Sequence, residues 1–154
     1  MQLTRFTDLG LRVLMYVAHA ESRSTPVTRP ELARFYRVSA EHLRKVIHRL
    51  AAAGLLATVA GRGGGMRLGR AARTIRLGTV VAVLEPDLAI VDCAKLQCVL
   101  RGPCSLKTAL DEAARAFVAA LDRYSLADVL AQPAMKAQVL RLVRERRAAA
   151  PRDA

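Results

Sequence analysis

Cys93, Cys98 and Cys104 are the only cysteines in this chain of 154 residues, and they fall within twelve consecutive positions. The segment that carries them, Asp92-Cys93-Ala94-Lys95-Leu96-Gln97-Cys98-Val99-Leu100-Arg101-Gly102-Pro103-Cys104, has neither helical nor strand periodicity and reads as a loop. Three thiols in one loop can hold a metal ion or an iron-sulfur cluster. Such sites usually take four ligands, so the fourth must come from elsewhere. A disulfide with a spare thiol, or three buried apolar cysteines, are the plainer alternatives. Buried structural cysteines would be expected at scattered helical core positions, so the clustering favours a metal or cluster site. The opening Met1-Gln2-Leu3-Thr4-Arg5 lacks the apolar run of a leader or membrane span, which predicts a reducing cytoplasm where disulfides do not persist.

The elements that must position this loop are announced by charge. Lys and Arg total 25 against 13 Asp and Glu, a net charge of +12. Met1 to Arg76 holds 14 basic and 4 acidic residues, net +10, whereas Leu77 to Ala154 holds 11 and 9, net +2. A basic half joined to a nearly neutral one is the pattern of a nucleic-acid-binding module carrying a sensing or assembly module.

The basic half reads as three helices and a hairpin. Leu3, Phe6, Val13, Leu14 and Val17 predict a first helix, capped by Thr4 or Thr7 and running to about His19. Pro30 opens a short second helix, Glu31 to Tyr36. Ser39 caps a third, whose stripe Leu43, Val46, Ile47 and Leu50 faces inward and which Gly54 ends. A short helix, a turn and a longer helix with a basic outer face form a helix-turn-helix, whose second helix enters the DNA major groove. Ser39, Glu41, His42, Arg44, Lys45 and His48 are the candidate DNA-contacting residues there. A solvated helix surface would look similar, but the segment after Gly54 strengthens the case. Leu55 to Val59 and Met66 to Leu68 predict two strands around Gly61-Arg62-Gly63-Gly64-Gly65, a wing whose tip offers Arg62 to a minor groove, with Arg67 on the flanking strand. The glycine run fits neither nucleotide-binding pattern.

The second half predicts a short helix, Thr79 to Leu84, stopped by Pro86. Beyond the cysteine loop comes a helix of about twenty residues, capped by Ser105, with Leu106, Leu110, Ala113, Ala114, Phe117 and Leu121 on one face. So little chain surrounds it that its apolar face is expected to pack on a second copy, making a two-fold homodimer. A helical turn at Ser125 to Leu130 and a basic helix, Met135 to Arg147, complete the pattern. The fold class is therefore mainly α with a small β-hairpin: a winged helix-turn-helix over residues 1–78, a cluster-binding loop and dimerisation helices over 79–148, and a disordered tail at 149–154.

The opening Leu3-Thr4-Arg5-Phe6-Thr7-Asp8-Leu9-Gly10-Leu11-Arg12, Ser39 before Glu41-His42-Leu43, the glycine wing and the C-x4-C-x5-C loop together resemble the iron-sulfur winged-helix regulators typified by NsrR, nitric-oxide-sensing transcriptional repressors. The resemblance runs to about Leu130. The related IscR type has a different first cysteine spacing and a histidine three residues after the last cysteine, where this chain has Lys107. The NsrR-type resemblance implies a cluster, 4Fe-4S with 2Fe-2S as the alternative, held by the three cysteines and by Asp8 of the other subunit. It also implies a double-stranded, pseudo-palindromic operator and nitric oxide as the signal that releases it. A zinc- or thiol-based regulator without a cluster is the second reading. An iron-sulfur electron carrier is the distant third, since no nucleophile-base pair or paired carboxylates support an enzyme.

Overall fold

The computed structural model describes residues 2–61, 63–100, 102–134, 137–138 and 141–142. The expected wing-tip Arg62, most of the expected closing helix 135–147 and the tail 149–154 lie outside the described residues.

Three helices come first: α1 (Arg5–His19), α2 (Arg29–Tyr36) and α3 (Ala40–Ala52). Each begins where a hydroxyl can take an orphan N–H. Thr4 accepts from the Thr7 N–H, Thr28 and Glu31 form a reciprocal capping box, and Ser39 accepts from the His42 N–H. The tight turn between α2 and α3 passes through Arg37 in a left-handed conformation (φ 54°), and Gly54 (φ 67°) follows α3. Strands β1 (Leu56–Val59) and β2 (Gly65–Leu68) then pair antiparallel, with Leu56 opposite Leu68 and Val59 opposite Gly65. Val27 pairs with the other edge of β2 by exchanging backbone hydrogen bonds with Met66. That bridge moors the hairpin to the loop before α2.

After a 3-10 turn (Ala72–Thr74) come α4 (Leu77–Leu84), the long α5 (Ser105–Asp122) and the short α6 (Leu126–Ala131). The core gathers Val13, Leu14 and Val17 of α1, Leu32 of α2, Leu43, Val46 and Leu50 of α3, and Val80 of α4, with Leu126 arriving from the far end of the chain. Helix α4 packs on α1 and α3 on one side and on α5 on the other. The contact with α5 is close: a Cβ on Gly78 would lie 2.4 Å from the Val118 carbonyl. Asp122, ending α5, accepts from the Thr79 N–H at 2.7 Å, so α5 caps α4.

The structure departs from sequence expectation at one point here. Ser105 is the first helical residue of α5, and Cys104 occupies the cap position without a side-chain hydrogen bond. The apolar stripe of α5 is divided within the protomer. Ala114 is buried, Leu110, Phe117 and Leu121 are half-buried, and Leu106 and Ala113 are exposed, because α4 covers only part of the face. No helix among the described residues is long and apolar enough to cross a membrane.

Candidate nucleic-acid interface and cysteine loop

Helix α3 buries Leu43, Val46, Ile47 and Leu50, which turns Glu41, Arg44, Lys45 and His48 to solvent. Ser39 is exposed at its cap, and His42 is half-buried with its ring edge-on to Phe6, centroids 6.1 Å apart. Arg44 is not free: it makes two hydrogen bonds to Glu41, at 2.8 and 2.9 Å, which hold the Glu41 carboxyl below its usual range and raise the guanidinium above its own. Between α3, the start of α2 and the hairpin runs an open groove of about 510 Å³, lined among others by Arg29, Arg44, His48, Thr58 and Gly64. The wing bends back through Gly63 (φ 76°). At Gly64 any Cβ would meet the Val59 carbonyl at 2.3 Å.

Arg67 does not sit as a DNA-facing wing residue would. Its guanidinium turns toward the α1–α2 loop and donates to the Arg23 and Ser24 carbonyls. Those bonds serve to fasten the hairpin, as does the pair of Val27 and Met66.

The loop after α4 winds through a turn at 93–97, closed by the Cys98 N–H donating to the Cys93 carbonyl at 3.1 Å. Asp92 starts it by accepting from the N–H groups of Ala94 and Lys95. All three thiols are free and half-buried. Cys93 and Cys104 line one cleft of about 450 Å³ together with Asp87, Asp92 and Lys107; Cys98 is not among its walls. Lys107 is paired with Asp111 one turn along α5, and that hydrogen bond raises the ammonium above its usual value. Around the loop, Leu96, Val99 (95% exposed) and Leu100 stand open to solvent. Among the described residues no three His, Cys, Asp or Glu side chains converge as a metal site.

Asp8 lies in the first turn of α1, exposed, and accepts from Arg12 Nε at 2.9 Å. The start of α1 is tied to the end of α4, because the Thr4 N–H and hydroxyl both donate to Glu85, at 3.2 to 3.3 Å. Glu85 immediately precedes the segment leading to the cysteines.

A profile of the Rrf2 family, described as "Iron-dependent Transcriptional regulator", matches residues 3–132. The chain belongs to the Rrf2 family. Among solved structures, this Rrf2 chain is similar to T. potens IscR (25% identity, covering 90% of this chain and 91% of that one, TM-score 0.71). It is also similar to CymR, the global cysteine regulator of B. subtilis (21%, 85% and 97%, 0.69), and to the oxidized form of Staphylococcus aureus CymR (22%, 84% and 95%, 0.67). These likenesses establish the winged-helix fold, and the family establishes a transcriptional regulator.

Within this Rrf2 regulator the structure gathers Glu41, Arg44, Lys45 and His48 on one helix face. It brings Cys93 and Cys104 to one cleft and keeps Asp8 on another part of the protomer, beside Arg12, Tyr36 and His42. Sequence reasoning passed over Arg29. The available signal was a basic residue between a capping threonine and Pro30, at the mouth of the first helix of the helix-turn-helix.

Proposed function

We propose that this Rrf2 regulator is a repressor that binds a pseudo-palindromic operator as a homodimer, through α3 and the wing. In the same proposal, residues 1–78 read DNA, residues 79–148 carry the sensing loop and dimer helices, and an iron-sulfur cluster, 4Fe-4S in type, governs DNA binding. The observation that carries the DNA-binding part is the solvent-facing row on α3 beside a glycine-tipped hairpin, in a half of the chain with net charge +10. The uncovered part of the α5 face, with Leu106 66% exposed, supports a second copy as its cover.

The donor set suits a cluster chemically. Three unoxidised thiols share one loop, two of them already on one cleft, and they leave one of the usual four ligand positions to be filled. Asp8 of the partner subunit is proposed for that position. Among the described residues of the protomer its carboxylate is engaged only in an exposed pair with Arg12, and such pairs contribute little, so exchanging this partner costs little. A bound cluster would supply iron open to attack by nitric oxide. Nitric oxide as the signal rests on the sequence resemblance alone. The protein's part is mechanical: the Thr4–Glu85 hydrogen bonds join the first turn of α1 to the end of α4, from which the chain runs to the cysteines, and ligation by Asp8 across the dimer would add a second link, so a change at the cysteines would reach the helix that packs on α3.

Anaerobic purification with a visible spectrum, iron and sulfide analysis, and DNA-binding titrations before and after nitric oxide tests this reading. A brown protein whose DNA affinity falls on nitrosylation is the expected result, with Cys93→Ala, Cys98→Ala and Cys104→Ala each folded but colourless. Asp8→Ala should still assemble a cluster on three cysteines but release DNA poorly in response to nitric oxide. A colourless, iron-free parent that still binds DNA would replace this reading with a thiol-based regulator, which the placement of Cys98 off the cleft favours.

A further inference from the structure

We propose that Arg29, outside the recognition helix, is a DNA-backbone anchor, and that the groove between α3 and the wing takes the phosphates of one operator strand. The inference deepens the DNA-binding part of the proposed function and rests on it. The groove is open, its lining is more apolar than polar, and its two arginines, Arg29 and Arg44, are not equivalent. Arg44 is bound through both oxygens of Glu41, so its charge is largely cancelled locally. Arg67, on β2 but outside the groove's lining, spends its guanidinium on two backbone carbonyls. Arg29 is exposed and, among the described residues, makes no hydrogen bond and no close ion pair, although its charge is the weakest of the influences that lower the Glu41 carboxyl. Of the described residues lining the groove it is the one unpaired full cation.

The start of α2 has little else to give a phosphate. Pro30 has no N–H, and the N–H groups of Thr28 and Glu31 are taken by each other's side chains. The Arg29 guanidinium, beside its own backbone N–H, therefore carries the contact. It lies at the groove's α2 wall, opposite the hairpin residues Thr58 and Gly64, where a strand lying against α3 would pass. A backbone contact of this kind fixes the register of α3 in the major groove and carries no sequence information of its own.

The probe is a labelled duplex selected from a randomised pool on the full-length protein, with a scrambled duplex beside it, titrated by anisotropy across a salt series. Arg29→Gln should weaken binding to both duplexes by about tenfold, as expected for one charge-assisted hydrogen bond. It should also lower the slope of log affinity against log salt by about 0.9, one phosphate's worth. Arg29→Lys should restore the slope, and Arg34→Gln, also exposed on α2 but outside the groove, should leave it unchanged. A parent that binds while Arg29→Gln keeps its slope removes the anchor and leaves the function intact. A loss of discrimination between duplexes without a slope change would make Arg29 a base reader and overturn the proposal. A parent that binds neither duplex at low salt overturns the DNA-binding reading itself.

Discussion

Glu31 shows how one side chain can organise a turn that carries no chemistry of its own. Its carboxylate accepts from the Tyr16 hydroxyl at 2.7 Å, from Arg23 and from the Thr28 N–H. Burial alone would push its carboxyl upward, but the hydrogen bonds from Arg23, Tyr16 and Thr28 outweigh it and hold the value below normal. A lowered folded value means the stabilisation is full above the ordinary carboxylate range and is lost as pH falls through the folded value. Glu31→Gln should therefore cost about 1.5 kcal/mol at pH 7 and flatten the acid limb of the stability curve below about pH 4. Urea melts at several pH values read this directly, and parallel acid limbs in parent and mutant would refute it. Arg67 is the companion case. Because it fastens the hairpin to the Arg23 and Ser24 carbonyls, Arg67→Ala should lower thermal stability, with the salt slope of DNA binding kept. A slope reduced by about one unit would return Arg67 to the DNA surface.

At the scale of elements, the sequence is legible where its signals are local. Thr4, Thr28 and Ser39 each sit beside the helix they cap, and the stripes of α1 and α3 repeat within a few residues, so the helix-turn-helix and the wing can be read from the residues alone. The α4–α5 joint cannot, because Asp122 caps Thr79 from 43 residues away and Gly78 matters only against the Val118 carbonyl and the Asp122 carboxylate of α5. Nor is the direction of Arg67 legible, since strand alternation assigns a face but not a partner. The joint supports a comparison of magnitudes. Asp122→Ala should cost about 1 kcal/mol, the worth of a lost cap. Gly78→Ala should cost about 2 kcal/mol, since a Cβ 2.4 Å from one oxygen and 2.5 Å from another must push α5 off α4. Equal losses by denaturant melts would show that the joint yields rather than resists.

The whole molecule is held by a crossing that the linear order of its parts conceals. Leu126 is fully buried in the same core as α1 and α3, its N–H donates to the Ile75 carbonyl at 2.8 Å, and the Leu77 N–H donates to the Tyr124 carbonyl at 3.0 Å. The expected boundary at residue 78 thus falls inside α4, between two segments bound to the chain's later part. Leu126→Ala should cost about 2–5 kcal/mol, and melts followed by Tyr fluorescence and by far-ultraviolet circular dichroism should coincide. Two separated transitions would mean the halves are independent. The same crossing sets a schedule during synthesis. About fifty residues separate Arg76 from Leu126, and at about 5–20 residues per second the ribosome needs several seconds to deliver them. Until then the reading head has its helices and its wing but lacks a piece of its core, so a nascent chain interrupted at the cysteine loop is expected to leave behind a less stable reading head than the full chain carries.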